Sequence, residues 1–177
     1  MKAVVCEVLG PPENLKYTDI QNPQPQAGQV LIEVKACGVN FPDNLVIQGL
    51  YQEKPALPFI PGMELSGVVT EVGGGVDALS VGDRVLSATG GGAFCEQVAV
   101  DVERCVRMPD SLGYVEGAAT LLVYGTSIHA LRQRAAIQPG ETLLVLGAEP
   151  VPAGLRVVRG ALLRPGDCKT GLGGGLV

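Results

Sequence analysis

Short segments with alternating apolar and polar residues dominate the chain up to about residue 110. In the clearest of them, Val30, Ile32 and Val34 alternate with Glu33 and Lys35. Such alternation places the two kinds of side chain on opposite faces, as in a half-buried antiparallel strand. Similar segments recur between turn residues at 2–8, 15–20, 65–72, 85–88, 93–100 and 105–108. The pattern predicts a small, strongly bent β-barrel with short helices, which is a mainly β, α+β fold.

Two stretches have the pattern of helices. Asn40 is suited to cap a short helix that reaches residue 47, with Pro42 in its first turn. Between residues 111 and 136, apolar residues recur every three or four positions, which indicates a helical stretch with one apolar face. We expect Gly125 to divide this stretch in two.

The segment after the helical stretch has two parts of different character. Residues 141–148 are typical of the buried first strand of a nucleotide-binding Rossmann domain. Such a strand leads into a glycine-rich loop, whose backbone N–H groups approach the pyrophosphate of the cofactor. Here Gly147 is followed by no glycine until Gly154, and Pro150 and Pro152 remove two N–H donors. The sequence therefore predicts an incomplete Rossmann start.

These patterns divide the chain into three parts. We expect a β domain at 1–110, a helical connector with one strand at 111–148, and an atypical, disordered tail at 149–177. The change of character after residue 148 is typical of a truncation, a splice variant or a frameshift.

Composition narrows the classes of partner. The net charge is −5 and there is no run of Lys or Arg, which argues against nucleic acid as a partner. No apolar stretch is long enough to span a bilayer, so we expect no membrane insertion. The N-terminus reaches Glu7 too early for a signal peptide, which favours a cytoplasmic protein. His129 is the single histidine and there is no Cys-x-x-Cys pair, so a zinc site is poorly supplied.

A family resemblance rests on a series of motifs in order along the chain. They are ACGVNFPD at 36–43, Gly-Leu-Tyr at 49–51, LPFIPGMELSGVV at 57–69, VGDRV at 81–85, YGT at 124–126 and QPGET at 138–142. With these motifs the chain resembles the medium-chain dehydrogenase/reductase superfamily, and within it the zeta-crystallin-like, NADPH-dependent quinone oxidoreductases. The resemblance implies a GroES-like catalytic domain followed by the first Rossmann strand.

Two positions distinguish the zinc-free branch of that superfamily. Asn40 stands where its zinc-dependent alcohol dehydrogenases have a cysteine, and Met63 stands where they have a histidine. Neither residue is a usual zinc ligand, and Glu64 alone cannot hold a catalytic metal. Zinc polarises a carbonyl oxygen as a Lewis acid, so a zinc-free enzyme needs an acceptor that is already electrophilic. The resemblance therefore implies NADPH-dependent hydride transfer to a quinone or an enone.

The same resemblance assigns roles to individual residues. It places Asn40 and Tyr51 beside the nicotinamide and the acceptor as catalytic residues, and it has Asn40 and Thr126 contact the cofactor. Tyr51 would hydrogen-bond a quinone oxygen or give it a proton. Each role has an alternative. Asn40 is also a helix N-cap, Tyr51 an ordinary half-buried loop residue and Thr126 a plain helical residue, while Asp43 suits the first turn of a helix.

A second function remains open at this stage. The chain is alternatively a non-catalytic GroES-like fragment without a cofactor site of its own, and we expect the isolated chain to be inactive. The resemblance implies a dimer formed through the Rossmann domain. We expect that domain to be missing here.

Overall fold

The structure is a computed structural model that describes residues 1–145 and 156–159. It divides into two compact units, Met1–Thr126 and Ser127–Val177. Within the described residues, no helix combines the length and the hydropathy needed to cross a membrane.

The first unit is built on antiparallel strands. Two of them, β1 (Lys2–Val5) and β2 (Lys16–Asp19), pair with each other. A five-stranded sheet has the order β6-β3-β4-β5-β7. Its strands are β3 (Gln29–Gly38), β4 (Glu64–Val72), β5 (Arg84–Ala88), β6 (Gln97–Asp101) and β7 (Cys105–Arg107). The mainly β, α+β prediction is confirmed.

The pairing of β3 with β4 is irregular at two points. Register shifts fall between Leu31 and Ile32 and between Val34 and Ala36. Bulges of this kind bend and twist a strand locally. Beyond the sheet edge, the N–H of Val4 donates to the carbonyl of Phe94 at 2.8 Å, which attaches β1 to the segment before β6.

Apolar side chains on β3, β4 and β5 form the core of this unit. Val30, Ile32, Leu65, Val69 and Val85 have no exposed surface. They belong to one contiguous cluster, and Val30 and Ile32 lie on the face that the alternating pattern of residues 30–36 predicts to be apolar. Each such side chain contributes about 1.5–3 kcal/mol to the free energy of unfolding.

The helices are short. They are α1 (Phe41–Ile47), α2 (Tyr114–Ala118) and α3 (Leu121–Ile128), with 3₁₀ turns at Pro12–Asn14 and Val102–Arg104 and a π-helical segment at His129–Arg134. The expected division of residues 111–136 at Gly125 is wrong, because Gly125 lies inside α3. The break falls before Leu121, where the hydroxyl of Thr120 donates back to the carbonyl of Glu116 at 2.7 Å and the carbonyl of Thr120 accepts from Tyr124 in the new helix.

The second unit contains a strand pair. Strand β8 (Thr142–Val145) pairs antiparallel with β9 (Arg156–Arg159). Part of the strand predicted at 141–148 is therefore present, but its partner runs antiparallel, whereas the first Rossmann strand belongs to a parallel sheet. Strand β9 lies within the span expected to be disordered. The predicted loop around Gly147, Pro150 and Pro152, and the rest of that span, lie outside the described residues.

Arg84 joins the five-stranded sheet to the chain that enters α2. Its guanidinium donates to the carbonyls of Asp110 at 3.0 Å and Leu112 at 2.6 Å, and lies 4.7 Å from the centre of the Tyr114 ring. We expect Arg84→Lys to lower the free energy of unfolding by about 1–2 kcal/mol, because an ammonium cannot reproduce this fork of donors over a ring. Urea denaturation measures the loss. Arg134→Lys, at an exposed position, is the control, and equal losses in the two variants would contradict the prediction.

Candidate functional site

Asn40 lies between the end of β3 and the start of α1. Its backbone is extended, with φ −115° and ψ 157°, as is usual for the residue that caps a helix. The carboxylate of Asp43, in the first turn of α1, accepts the backbone N–H of Asn40 at 2.8 Å. The predicted N-cap position of Asn40 and the predicted first-turn position of Asp43 are both found.

Asp43 also binds a second segment of the chain. It is 4% exposed, its carboxylate accepts the backbone N–H of Asn40, and the backbone N–H groups of Gly62 and Met63 lie close enough to favour its ionised form. Burial raises the pKa of the Asp43 carboxyl, and the neighbouring Glu64 raises it further, while the three N–H donors act in the opposite direction. Asp43 thus fastens the start of α1 to the residues that precede β4.

Glu64, the first residue of β4, is a second buried carboxylate, and it is only 1% exposed. Its Oε1 accepts a hydrogen bond from Nδ2 of Asn40 at 2.9 Å, and its Oε2 accepts from the backbone N–H of Leu122 at 3.0 Å. The carboxylate therefore connects the Asn40 side chain to the first turn of α3. An acid at the N-terminus of a helix is also favoured by the helix dipole.

Gly38 makes room for the Glu64 carboxylate. The two residues are paired across β3 and β4. A Cβ atom at residue 38 would lie 2.6 Å from Oε1 of Glu64 and 2.7 Å from the carbonyl oxygen of Ala118. Since such distances are below van der Waals contact, any side chain at residue 38 would displace Glu64 or α2.

A pocket of about 430 Å³ opens beside Asp43. Its lining residues include Phe59, Met63, Lys54, Gly90 and Gly91. The volume lies within the usual range for a small-molecule site. The lining is mainly apolar, which suits a flat organic molecule better than a sugar or a phosphate.

The apolar residues on either side of Asn40 are unusually exposed, and so is Leu50 after α1. Val39 is 82% exposed, Phe41 is 73% exposed and Leu50 is 68% exposed. Large exposed apolar side chains next to a polar group are typical of a surface that is covered when the protein binds a ligand or a partner.

The remaining predicted site residues are less closely integrated. Tyr51 follows α1 in a bend and is half-buried, and its hydroxyl makes no hydrogen bond to another described residue. Thr126 is exposed on α3. The structure therefore brings Asn40 together with Asp43 and Glu64. The catalytic and cofactor-binding roles of Asn40, Tyr51 and Thr126 stay predictions. His129 is exposed, and its ring contacts the Gln133 side chain.

The described residues contain no group of three or more His, Cys, Asp or Glu side chains placed to share a metal ion. Met63 lines the pocket, and the amide of Asn40 is bound to Glu64. The absence of zinc from the functional protein stays a prediction.

Comparison with known proteins identifies the domain. Residues 26–110 match the family model for the alcohol dehydrogenase GroES-like domain. Over 147 residues the chain is 43% identical to quinone oxidoreductase-like protein 2 of Rattus norvegicus, a match that covers 83% of this chain and 41% of the relative.

Two solved structures are similar in fold. One is the human synaptic vesicle membrane protein VAT-1 homolog-like protein, with a TM-score of 0.77 and 36% identity over 79% of this chain and 45% of that one. The other is Escherichia coli quinone oxidoreductase in complex with NADPH, with a TM-score of 0.72 and 29% identity over 80% of this chain and 43% of that one.

The chain thus spans less than half the length of each of these proteins. Within that span, the sequence motifs, the antiparallel sheet and the comparisons agree. Residues 26–110 form an alcohol dehydrogenase GroES-like domain, and the chain is a homologue of the quinone oxidoreductase-like proteins of the medium-chain dehydrogenase/reductase superfamily.

Proposed function

We propose that this chain supplies the acceptor side of an NADPH-dependent oxidoreductase that reduces quinones or activated alkenes without a metal. The observation that carries the proposal is the apolar pocket of about 430 Å³ beside Asp43. Asp43 and Val46 of α1 are among its lining residues, and Asp43 also accepts the backbone N–H of Asn40, whose side chain is held by Glu64. A flat, weakly polar acceptor fits such a lining. The related Escherichia coli quinone oxidoreductase has been solved in complex with NADPH, which supports this cofactor.

The residues around Asn40 suit the nicotinamide end of the cofactor. Val39 and Phe41 offer exposed apolar surface for a flat ring, and the amide of Asn40 offers polar atoms to its carboxamide or ribose. NADPH, when bound, supplies the hydride. Thr126, exposed on α3, would add a polar contact to the cofactor. The loop that would receive the pyrophosphate falls outside the described residues.

The protein's own groups would act mainly by positioning. Tyr51 would donate its hydroxyl proton in a hydrogen bond to the acceptor oxygen, on which negative charge develops as the hydride arrives. The apolar wall of the pocket would exclude water and orient the acceptor. Holding two reactants in a reactive arrangement is a large part of such catalysis.

One observation favours the alternative, a non-catalytic GroES-like domain. Strand β8 pairs antiparallel with β9, and a Rossmann strand at this place would have parallel neighbours. A chain built in this way would bind a partner through its GroES-like domain and carry out no hydride transfer.

Titration of the purified chain with NADPH, followed by nicotinamide fluorescence, tests the proposal. Contrary to the inactivity that the sequence leads us to expect of the isolated chain, the proposal requires saturable binding at micromolar concentrations and reduction of a soluble quinone. We expect Tyr51→Phe to lower kcat by about tenfold, the equivalent of one lost hydrogen bond. Tyr17→Phe, at a tyrosine that is 71% exposed, is the control and should leave kcat unchanged. A folded chain that binds no NADPH would contradict the proposal and favour the non-catalytic domain.

A further inference from the structure

We infer that Glu64 is a positioning residue that couples the side chain of Asn40 to helix α3. The inference deepens the proposed function. It rests on that proposal for the contact between Asn40 and the nicotinamide. The coupling itself stands on two hydrogen bonds, from Nδ2 of Asn40 at 2.9 Å and from the N–H of Leu122 at 3.0 Å.

The first step of the argument concerns the orientation of the Asn40 amide. An ionised carboxylate only accepts hydrogen bonds, so it must face the NH₂ group of the amide and not its oxygen. Glu64 is 1% exposed, so water cannot substitute for either of its two donors. The carboxylate therefore determines which end of the Asn40 amide points into the protein.

The second step concerns α3. Leu122 and Thr126 are four residues apart, so they lie on the same side of the helix, about 6 Å apart along its axis. Thr126, the residue of α3 predicted to contact the cofactor, is thus one helical turn away from Leu122, whose backbone N–H donates to Glu64. Asn40 and α3 carry the two predicted cofactor contacts, and a single buried side chain joins them.

The third step is that no other common side chain at residue 64 can accept from both donors in this way. Glutamine has the same shape but only one acceptor oxygen. In Glu64→Gln, its NH₂ group must face either the N–H of Leu122 or the NH₂ group of Asn40. The first arrangement loosens the start of α3, and the second forces the Asn40 amide to turn over.

A compensating pair of changes follows from the same geometry. In Asn40→Asp combined with Glu64→Gln, the glutamine donates its NH₂ to the new carboxylate and still accepts from Leu122. The number of hydrogen bonds and the net charge are restored, with the polarity of the first bond reversed. Asn40→Asp alone would set two carboxylates against each other.

Hydrogen exchange measured by ¹⁵N NMR on the full chain tests the coupling without any cofactor. We expect Glu64→Gln to lower the protection factor of the Leu122 amide by about 10- to 100-fold, or to shift the side-chain NH₂ resonances of Asn40, because a bond to a charged acceptor is lost. Glu71→Gln is the matched control. It makes the same change at an exposed residue of the same strand, and it should alter neither signal.

The double variant decides between coupling and general destabilisation. We expect it to regain the Leu122 protection, and to regain the fold if Glu64→Gln alone has lost it. Unchanged Leu122 and Asn40 signals in Glu64→Gln, equal changes in Glu71→Gln, or a double variant that stays unprotected would each overturn the inference.

NADPH titration separates this inference from the proposed function. If both hold, Glu64→Gln binds NADPH at least about tenfold more weakly than the original chain, because either the Asn40 amide turns over or the start of α3 loosens, whereas Glu71→Gln binds it unchanged. If the original chain shows the expected exchange pattern and binds no NADPH, the proposed function fails and the coupling stands. If Glu64→Gln binds NADPH as tightly as the original chain, Glu64 does not position Asn40 for the cofactor, and the inference fails.

Discussion

Asp43→Asn is expected to lower the free energy of unfolding by about 1–3 kcal/mol, because the buried carboxylate accepts the backbone N–H of Asn40 and faces two further backbone N–H groups, and asparagine keeps one acceptor oxygen for them. Two of the donors, Gly62 and Met63, lie just before β4, and the third is Asn40. Urea denaturation at neutral pH measures the change. Asp77→Asn is the control, since it makes the same substitution at an exposed position. A loss below about 1 kcal/mol in Asp43→Asn would show that these N–H groups find other acceptors.

The stability difference between the original chain and Asp43→Asn should also depend on pH. Burial raises the pKa of Asp43 above its ordinary value of 3.8, so the folded protein retains this proton to higher pH than the unfolded chain does. The resulting contribution to stability is fully present below the ordinary pKa, and it is lost as the pH rises through the raised pKa. Asparagine has no such proton. The advantage of the original chain should therefore grow as the pH falls towards about 4, and an advantage that shrinks on acidification would contradict the assigned direction.

Gly67→Ala is expected to cost about 3 kcal/mol of stability, because there is no space for its methyl group in the centre of the sheet. A Cβ atom at residue 67 would lie 2.3 Å from the carbonyl oxygen of Glu33 and 2.6 Å from Cγ2 of Ile32. The first of these atoms is backbone in the neighbouring strand β3, so relief of the clash requires that β3 and β4 separate. Thermal or urea denaturation measures the loss.

Gly74→Ala is the matched control for this prediction. No atom lies within 4 Å of a Cβ built at Gly74. Alanine there restricts the unfolded chain, so we expect a small effect, from neutral to a gain of about 0.5 kcal/mol. If both glycines tolerate alanine equally, the close approach of β3 to β4 at Gly67 is not rigid.

The sequence predicted those features that depend on neighbouring residues. Alternation in residues 30–36 marks a strand because side chains on a strand point to opposite faces, and β3 has its buried side chains there. The cap at Asn40 was equally predictable, because it needs only a short polar side chain followed by an acid three positions later. Both signals lie within a few residues of the element that they define.

The parts that were not predicted depend on contacts between distant residues. The hydrogen bond from Leu122 to Glu64 joins residues 58 positions apart, and no local pattern specifies that pair. The break before Leu121 was not predicted, because glycine is a weak helix former and Gly125 was therefore the expected boundary. The new helix begins after Thr120, whose backbone carbonyl accepts from the N–H of Tyr124. The antiparallel pairing of Thr142–Val145 with Arg156–Arg159 was not predicted either, because the partner of such a short strand is not specified by its own four residues.

Gly38 and Glu64 also set a condition for engineering. The carboxylate occupies the space that a side chain at residue 38 would fill, 2.6 Å from the position of the missing Cβ. A designer who transfers the acid to another barrel must therefore transfer the glycine on the facing strand with it. Conversely, a scaffold with alanine at the facing position cannot accept the acid by a single substitution. The two positions must be changed together, although they are 26 positions apart in the chain.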